Sequence, residues 1–403
     1  MIPLHERIAG QKHKDTFELI RKQATVSKIE LLEQTQFSVS TLTRILEELR
    51  DQRLIMEAGF RESTGGRRPI IYQLNPTYGY VFGLDISRTY SMLVLCDMQM
   101  NKLDSRRWAL NEGMTPKVLV QEIVYTVRNI LAVHGIPLTS VLGMGVGAVG
   151  PLDRFSGTIL EPLYFPANGW NDVPICEMLR QELDLPIILD NGANMAILGE
   201  YWASRNEACE HLLYIHLGIG IRSAMMTGGK VVYGAMDMES SIGQMIIQSD
   251  GLRLRETSNF GGLENYVSFY ALEQKARTQL KQGRKSILQQ MEGIGKDPER
   301  LSFLHLKQAI GEQDPMVVEL FTQAAAYFGI GLANLLNILH PEKVILGGPL
   351  INIDPFFFET STKVAIEKTH YYPTYQVTFS RGNLGEDALV IGAAVMVVNK
   401  MTE

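Results

Sequence analysis

The stretch LPIILDNGANMAILGEYWA, residues 185–203, passes from a short apolar run through a polar turn into a helical pattern. The run 186–189 has the length and composition of a buried strand, and the apolar residues after the turn recur at helical spacing. Asp190, Asn191 and Gly192 form the turn, and ligands of α/β proteins bind outside the carboxyl ends of strands. The segment therefore predicts a strand–turn–helix unit whose turn is an active site, a binding site without chemistry, or a plain turn.

The alternation of strand, glycine-containing turn and helix extends over the whole chain from residue 78 onward. Further strand patterns lie within 79–98, 141–153, 211–235 and 340–351, and helical patterns within 115–134, 264–282 and 316–339. Strands that alternate with helices indicate α/β layers. The strand–turn–strand pattern around Asp85 recurs near residue 215 without the aspartate, which favours two similar lobes.

Length and composition narrow the class of protein. The 403 residues are enough for two or three domains, and 45% hydrophobic and 20% charged residues are usual for a soluble protein. No apolar stretch is long enough to span a membrane, and residues 1–15 lack the apolar core of a signal peptide. Cys96, Cys176 and Cys209 show no metal-ligand spacing. We therefore expect a cytoplasmic protein without disulfides or membrane attachment.

The formal net charge of −6 is unevenly distributed. Residues 1–75 contain 12 Lys+Arg and 10 Asp+Glu, so this segment carries +2 and the remainder carries −8. A positive segment on an acidic body points weakly to nucleic-acid binding by the N-terminus.

Three helical patterns precede residue 55. The first covers about 11–24, the second opens at Ser27 with Glu30 as a capping-box partner, and the third covers about 39–52 behind a second N-cap, Ser38. Two short helices joined by a tight turn predict a helix-turn-helix. At the exposed start of the third helix, small hydroxyl groups and one arginine are suited to phosphate and base contacts: Ser38, Ser40, Thr41, Thr43 and Arg44. The alternative is an ordinary three-helix packing unit.

The next stretch, 54–74, alternates like two short strands around a Gly-Gly-Arg-Arg-Pro tip. A hairpin after a helix-turn-helix is a wing, and its slim tip could lay an arginine into an A·T-rich minor groove. We expect the DNA contacts of the wing to come from Gly65, Gly66, Arg67 and Arg68. The alternative is a solvated hairpin tip. Asn75-Pro76 closes this domain, so residues 1–76 are predicted to form a winged helix-turn-helix.

The chain resembles the ROK family (repressors, open reading frames and sugar kinases), and within it the repressors of the NagC/XylR type. The resemblance rests on these motifs: Gly65-Gly66-Arg67, Asp85-Ile86-Ser87-Arg88-Thr89, Gly150-Pro151-Leu152-Asp153, Trp170-Asn171-Asp172-Val173-Pro174, Asp190-Asn191-Gly192-Ala193-Asn194, Gly218-Ile219-Gly220, Leu263-Glu264, Gly347-Gly348 and Gly392-Ala393-Ala394. It implies two actin/hexokinase-like (ribonuclease H-like) α/β lobes with a sugar cleft between them, and a homodimer or homotetramer. We place the lobes at 77–200 and 201–403, with the last helix able to return to the first lobe.

The departures from the family pattern bear on catalysis. In the kinases of the family, the segment after the strand resembles Asn-Asp-Ala-Asn. The resemblance implies that its aspartate is the general base that takes the proton of the sugar hydroxyl. Aligned on Asn191, Ala193 and Asn194, that position is Gly192, which has no side chain to move a proton. The glycine-rich phosphate loop is also altered, because Arg222, Ser223 and Ala224 follow Gly218-Ile219-Gly220-Ile221 in place of glycines. We expect no catalytic residue, no kinase activity and no cofactor.

The first phosphate loop departs from the family pattern too, because Ser87 and Arg88 stand where the family usually has glycines. Arg88 or Arg222 could bind an anion, and the alternative for each is a surface arginine.

The sugar and zinc motifs depart as well. The family's Glu-Ile-Gly-His is replaced by Ser241-Ile242-Gly243-Gln244, and its zinc cysteines are absent from 255–264. We therefore expect no structural zinc. The residues that the resemblance leaves for a polyhydroxyl effector are Asn168, Asn191, Ser241, Gln244 and Glu264.

These features predict a repressor of carbohydrate-uptake or carbohydrate-metabolism genes that binds a double-stranded DNA operator and is released or modulated by a sugar or sugar derivative. Two alternatives stay open. One is a regulator controlled by a protein partner, with a vestigial sugar cleft; the other is a sugar kinase with a DNA-binding head.

Overall fold

A computed structural model describes residues 4–60, 69–207, 209–237, 239–370 and 374–403. The chain divides into two compact units: unit 1 holds Met1–Ala208 and Asp387–Glu403, and unit 2 holds Cys209–Glu386. The last helix therefore groups with the first half of the chain.

The α-helices are α1 (Gln11–Gln23), α2 (Lys28–Gln34), α3 (Val39–Asp51), α4 (Pro116–His134), α5 (Ile175–Leu183), α6 (Gly192–Ala203), α7 (Glu264–Val267), α8 (Phe269–Lys281), α9 (Phe303–Gly311), α10 (Pro315–Leu339), α11 (Pro355–Lys368) and α12 (Ala388–Asn399). The strands are β1 (Thr25–Ser27), β2 (Ile55–Phe60), β3 (Ile70–Leu74), β4 (Tyr80–Ile86), β5 (Tyr90–Asp97), β6 (Lys102–Ala109), β7 (Val141–Ala148), β8 (Leu152–Asp153), β9 (Thr158–Ile159), β10 (Ile187–Asn191), β11 (Leu212–Leu217), β12 (Ile221–Thr227), β13 (Lys230–Val231), β14 (Lys343–Gly347) and β15 (Thr378–Ser380).

The N-terminal part of unit 1, which we call the head, consists of α1 to α3 and the antiparallel sheet β1-β3-β2. The predicted caps are confirmed: Ser27 and Glu30 form a capping box, and the Ser38 hydroxyl accepts the N–H of Thr41. The apolar face of α3 is buried through Leu42, Ile45, Leu46 and Leu49. The order of helix, strand, two helices and hairpin is that of a winged helix-turn-helix. The strand β1, only three residues long, was not predicted.

The rest of unit 1 is built on a five-stranded sheet in the order β10-β7-β4-β5-β6. On one face, α4 and α5 share a hydrophobic core with the sheet. Because side chains alternate along a strand, Gly83 and Gly145 point to the other face, where α12 packs. A Cβ on Gly83 would lie 1.9 Å from the carbonyl oxygen of Val390, and one on Gly145 would lie 1.9 Å from that of Ala393. These glycines therefore let a helix backbone rest directly on the sheet.

Unit 2 repeats this arrangement with the sheet β13-β12-β11-β14-β15. β11 pairs antiparallel with β12 and parallel with β14, as β4 does with β5 and β7. The predicted recurrence of the strand–turn–strand pattern is thus present in the topology. Contrary to the expectation from the sequence, one helix in the described part of the chain, α10, is long and apolar enough to cross a membrane; most of it is buried in the core of unit 2.

Candidate DNA-binding surface and effector site

The start of α3 lies at the surface of the head, as predicted. Ser38, Ser40 and Arg44 are exposed, and 71% of the Arg44 side chain is accessible. Arg44 Nε lies 3.6 Å from Glu48 Oε1, and the other oxygen of Glu48 lies 2.6 Å from His13 Nε2. An exposed ion pair of this kind contributes little free energy, so it leaves the guanidinium able to turn toward a phosphate.

The hydroxyl groups of this surface are already ordered by one another. Ser38 Oγ caps the helix by accepting the N–H of Thr41 at 3.2 Å, and it lies 3.0 Å from Ser40 Oγ and 2.9 Å from Thr41 Oγ1. The N-cap therefore fixes the direction in which the start of α3 projects from the head.

Thr43 is less available than the sequence suggests. It is half-buried, its hydroxyl donates to the carbonyl oxygen of Val39 at 2.6 Å, and it accepts a hydrogen bond from Lys28 Nζ. Lys28 was not predicted, because its contact with Thr43 joins two different helices and leaves no local pattern in the sequence. The ammonium group of Lys28 therefore adds a positive charge beside the start of α3.

The predicted wing residues Gly65, Gly66, Arg67 and Arg68 lie outside the described residues. The two strands that lead to them, β2 and β3, pair antiparallel with a register shift between Glu57 and Gly59. The exposed face of β2 includes Phe60, which is 64% accessible.

In unit 1, the turn after β10 is a buried network of polar side chains. Asp190, which is 2% exposed, uses Oδ1 to accept the N–H of Asn191 at 2.7 Å and the Asn194 Nδ2 at 2.9 Å. Asn191 Oδ1 accepts the N–H of Asn194 at 2.8 Å and so caps α6. The turn is therefore rigid, and any ligand that moves Asn191 also acts on the start of α6.

A second predicted effector residue, Asn168, is exposed on the loop between β9 and α5. Arg88 holds the same loop, because its Nε donates to the carbonyl oxygen of Leu163 at 2.9 Å and its guanidinium lies 5.8 Å from the centroid of the Tyr164 ring. Arg88 is thus half-buried and bonded to the chain rather than a free surface arginine.

In unit 2, the structure brings Glu264 and the turn Ser241–Gln244 together around the former phosphate loop. Glu264 Oε2 accepts the N–H of Ile221 at 3.2 Å. A Cβ on Gly220 would lie 3.0 Å from that oxygen, and one on Gly243 would lie 2.9 Å from it. The carboxylate therefore packs closely against both glycines.

Gln244 bonds to the segment 255–264, in which the resemblance led us to expect no zinc ligands. Its Oε1 accepts the N–H of Asn259 at 2.8 Å, and its carbonyl oxygen accepts from Asn259 Nδ2 at 3.0 Å. Asn265 Nδ2 in turn donates to the carbonyl oxygens of Asn259 and Leu252 at 2.7 and 2.9 Å. Asn259 and Asn265 were not predicted, and these amides hold the segment by hydrogen bonds.

Arg222 is buried, which corrects the alternative that it is a surface arginine. Its Nη1 lies 3.9 Å from Glu239 Oε1, and both side chains are at most 10% exposed. The buried carboxylate compensates the guanidinium charge, so the pair disfavours a bound anion at this strand.

Unit 1 carries a winged helix-turn-helix head, and units 1 and 2 repeat one ribonuclease H-like sheet. This combination defines a class: DNA-binding proteins built on the fold of sugar kinases. A family model described as the ROK family matches residues 81–400. The chain therefore belongs to the ROK family.

Two comparisons concern full-length regulators. The xylose repressor of Caldicellulosiruptor bescii is 27% identical over 380 residues, which cover 93% of this chain and 92% of that protein. A crystal structure of a ROK family transcriptional regulator, a homologue of the Escherichia coli MLC protein, matches with a TM-score of 0.79 and 18% identity, and covers 99% of this chain and 98% of that one. The structural match confirms the fold.

A third comparison concerns an enzyme. The glucokinase of Halalkalibacterium halodurans is 26% identical over 323 residues, and the match covers 94% of the kinase but 78% of this chain. The kinase is thus matched almost entirely, while about a fifth of this chain has no counterpart in it.

Proposed function

We propose that this protein is a transcriptional repressor of carbohydrate genes that binds an operator through the head and responds to a sugar-type effector. One observation carries the proposal: an exposed, hydroxyl- and arginine-bearing α3 belongs to a ROK chain that has glycine at the position of the kinase base. Full-length similarity to a protein named xylose repressor supports it.

The DNA would be held in two ways. Ser38, Ser40, Thr41, Thr43 and Arg44 would enter the major groove with α3, and the wing residues 65–68 would reach the adjacent minor groove. A homodimer or homotetramer would present two such helices to successive grooves of a near-palindromic operator. Lys28 would contact a phosphate beside Thr43.

Kinase activity is not expected. Gly192 cannot accept a proton, and the neighbouring Asp190 carboxylate is buried and accepts hydrogen bonds from Asn191 and Asn194. Arg222, Ser223 and Ala224 stand where the resemblance to the kinases would place glycines, which hinders a close backbone approach to phosphates. These two departures support a protein without kinase activity.

The effector would be a neutral polyhydroxyl compound, with Asn168, Asn191, Ser241, Gln244 and Glu264 as candidate contacts. Amide and carboxylate groups suit sugar hydroxyls, which both donate and accept. A pentose such as xylose is the first candidate because of the relative's name. To release DNA, the sugar must bind the DNA-incompetent state more tightly.

The test is an electrophoretic shift assay with the DNA upstream of the gene and of neighbouring sugar-transport genes, with and without D-xylose, D-glucose and N-acetyl-D-glucosamine. We expect a retarded complex that one of the sugars weakens. The absence of a complex with every one of these DNAs would overturn the proposal. A coupled ATP assay with the same sugars should show no turnover.

A second candidate is a regulator controlled by a protein partner. It is favoured by the internal bonds of Gln244 and Asn191, whose amide oxygens are already used within the chain. This alternative would be favoured by two results together. Calorimetry would detect no binding of any sugar in a broad panel, and one defined protein partner would be captured that alters the DNA affinity.

A further inference from the structure

A buried arginine joins the head to the remainder of unit 1. Arg21, in α1, is 6% exposed, and its Nη2 donates a hydrogen bond to Asn399 Oδ1 at the end of α12. Its guanidinium lies 5.2 Å from the centroid of the Trp202 ring, near the end of α6. One head residue thus contacts the ends of two helices of the lobe.

The same two helices form a single block. A Cβ on Gly199 of α6 would lie 2.1 Å from the carbonyl oxygen of Ala388, and one on Gly392 of α12 would lie 1.6 Å from that of Met195. Backbone meets backbone without intervening side chains, so α6 and α12 must move together. Trp202 and Asn399 therefore keep a fixed spacing, and Arg21 docks on both or on neither.

The opposite end of α6 is capped by Asn191, a candidate effector residue. A 12-residue helix is about 18 Å long, and a helix of that length transmits a displacement of one end to the other. A ligand that shifts Asn191 would therefore shift Trp202, and with it the surface on which Arg21 rests.

The docked state is held by contacts that a small shift would break. The only carboxylate paired with Arg21 among the described residues is Glu18, 3.4 Å away, and Nη1 has no hydrogen-bond partner there. Burial lowers the pKa of the Arg21 guanidinium. Arg205 lies on the same Trp202 ring, 4.2 Å from its centroid, so two like charges face one side chain. A buried cation with incomplete compensation is costly once a partner moves away.

We propose that Arg21, Trp202 and Asn399 form a junction through which the effector state of unit 1 sets the position of the DNA-binding head. Arg21 acts as a positioning residue and touches neither DNA nor effector. The proposal rests on the proposed function, because it assigns the route by which that effector acts. Thr402 Oγ1 reinforces the junction by donating to Glu18 Oε1 at 2.8 Å.

The first test measures docking in the full-length protein without any ligand. Hydrogen exchange of the α1 amides is compared between wild type, Arg21→Met and the control Lys22→Met, whose lysine is exposed on the same helix. We expect about tenfold faster exchange in α1 of Arg21→Met, unchanged exchange in β7 and no change in the control. Equal α1 exchange in Arg21→Met and wild type would overturn the junction.

The second test measures transmission. The affinity for the upstream DNA is determined with and without D-xylose, D-glucose or N-acetyl-D-glucosamine. We expect the sugar-induced change in Kd to fall about fivefold or more in Arg21→Met, with sugar affinity by calorimetry unchanged. If the wild-type protein responds to a sugar and Arg21→Met retains that response in full, the junction is overturned and the proposed function is not. If none of the sugars changes the DNA affinity of the wild-type protein, both the proposed effector response and its transmission through the junction are overturned.

Asn399→Ala provides a milder variant in case Arg21→Met does not fold. It removes the Oδ1 acceptor while leaving Arg21 and Trp202 in place. It should reduce the sugar response in the same direction, and an unchanged response would contradict the junction.

Discussion

Glu264 Oε2 and the backbone nitrogen of Ile221 lie 3.2 Å apart and form a hydrogen bond. The carboxylate thereby occupies the glycine loop from within unit 2, against Gly220 and Gly243. The N–H of Ile221, at the end of this loop, is therefore bonded within the chain. The arrangement places at this loop an acidic side chain of the kind that suits sugar hydroxyls.

Replacing Glu264 separates its contact with the sugar from its hydrogen bond to the N–H of Ile221. Glu264→Gln keeps an acceptor for Ile221, so we expect stability within about 1 kcal/mol of wild type and a sugar affinity about tenfold lower, since a charged acceptor is lost. Glu264→Ala should in addition lower the free energy of unfolding by about 1–3 kcal/mol, because the N–H of Ile221 loses its partner. Calorimetry and denaturant unfolding measure the two effects.

The exposed Glu256, eight residues earlier, provides the matched control. Glu256→Gln should leave both sugar affinity and stability unchanged. A Glu264→Gln protein with wild-type sugar affinity would remove Glu264 from the effector site.

The glycines under α12 should tolerate no side chain. Gly83→Ala or Gly145→Ala would place Cβ 1.9 Å from a backbone carbonyl oxygen of α12, so the helix must lift from the sheet. We expect a loss of at least about 3 kcal/mol in the free energy of unfolding, or an insoluble protein. Thermal and urea unfolding check this.

Gly311, at the end of α9, is the control, because nothing lies within 4 Å of a Cβ built there. Gly311→Ala should be neutral or stabilise the protein by up to about 1 kcal/mol. Similar stability for Gly83→Ala and Gly311→Ala would contradict the close approach of α12.

The features that the sequence predicts well depend on residues close together in the chain. The caps at Ser27 and Ser38 and the buried face of α3 follow from spacing within one turn of helix, and the structure confirms them. The strand–turn–helix around Asp190 is equally local, since Asn191 caps the helix that it precedes. Fold and family also followed, because their motifs are short and specific in combination.

What the sequence does not reveal depends on distant partners. Gly145 lies in a strand pattern whose sequence does not reveal that it packs against Ala393, about 250 residues later. The bonds between Gln244 and Asn259 depend on a loop whose path no local pattern fixes. The partner of Arg21, Asn399, is likewise 378 residues away in sequence. A three-residue strand such as β1 carries too little periodicity to be recognised.

Arg44 should contribute to DNA binding through a phosphate or a base. Arg44→Ala should weaken binding to the upstream DNA about tenfold and, if the contact is to a phosphate, reduce the slope of log K against log salt by about 1. Fluorescence anisotropy over a series of salt concentrations measures both.

Arg50, exposed at the opposite end of α3 and paired with Glu57, is the matched control of equal charge. Arg50→Ala should change the affinity less than Arg44→Ala. Equal losses for the two variants would indicate a general charge effect and would contradict a specific role for the start of α3.

The thiols should resist modification in the folded protein. Burial raises the pKa of Cys96 to about 12 and that of Cys176 to about 11, from an ordinary value near 9. At pH 8 neither forms a reactive thiolate, so a disulfide-exchange reagent should label at most Cys209 until denaturant is added. Rapid labelling of all three cysteines in the native protein would contradict the burial of Cys96 and Cys176.

The same shifts have a consequence for stability. Unfolded thiols lose their protons above about pH 9, whereas the folded ones stay protonated until pH 11–12. The unfolded state therefore binds fewer protons in that window, and stability falls as the pH rises through it. Cys96→Ser or Cys176→Ser should reduce this alkaline loss, which urea unfolding at pH 8 and pH 10 would detect.

Restoring the base alone should not restore a kinase. Gly192→Asp places a carboxylate at the first position of α6, where the helix dipole favours it, but beside the buried Asp190. We expect a stability loss of about 1–3 kcal/mol from the second buried carboxylate. We also expect no ATP turnover with D-xylose or D-glucose, because Arg222, Ser223 and Ala224 stand in place of phosphate-loop glycines and Arg222 is paired with Glu239. Gly192→Asn, which adds similar volume without charge, separates steric from electrostatic cost. Sugar-dependent ATP hydrolysis by Gly192→Asp, absent from Gly192→Asn, would show that the loop still accepts a nucleotide and that glycine at 192 was the one missing part.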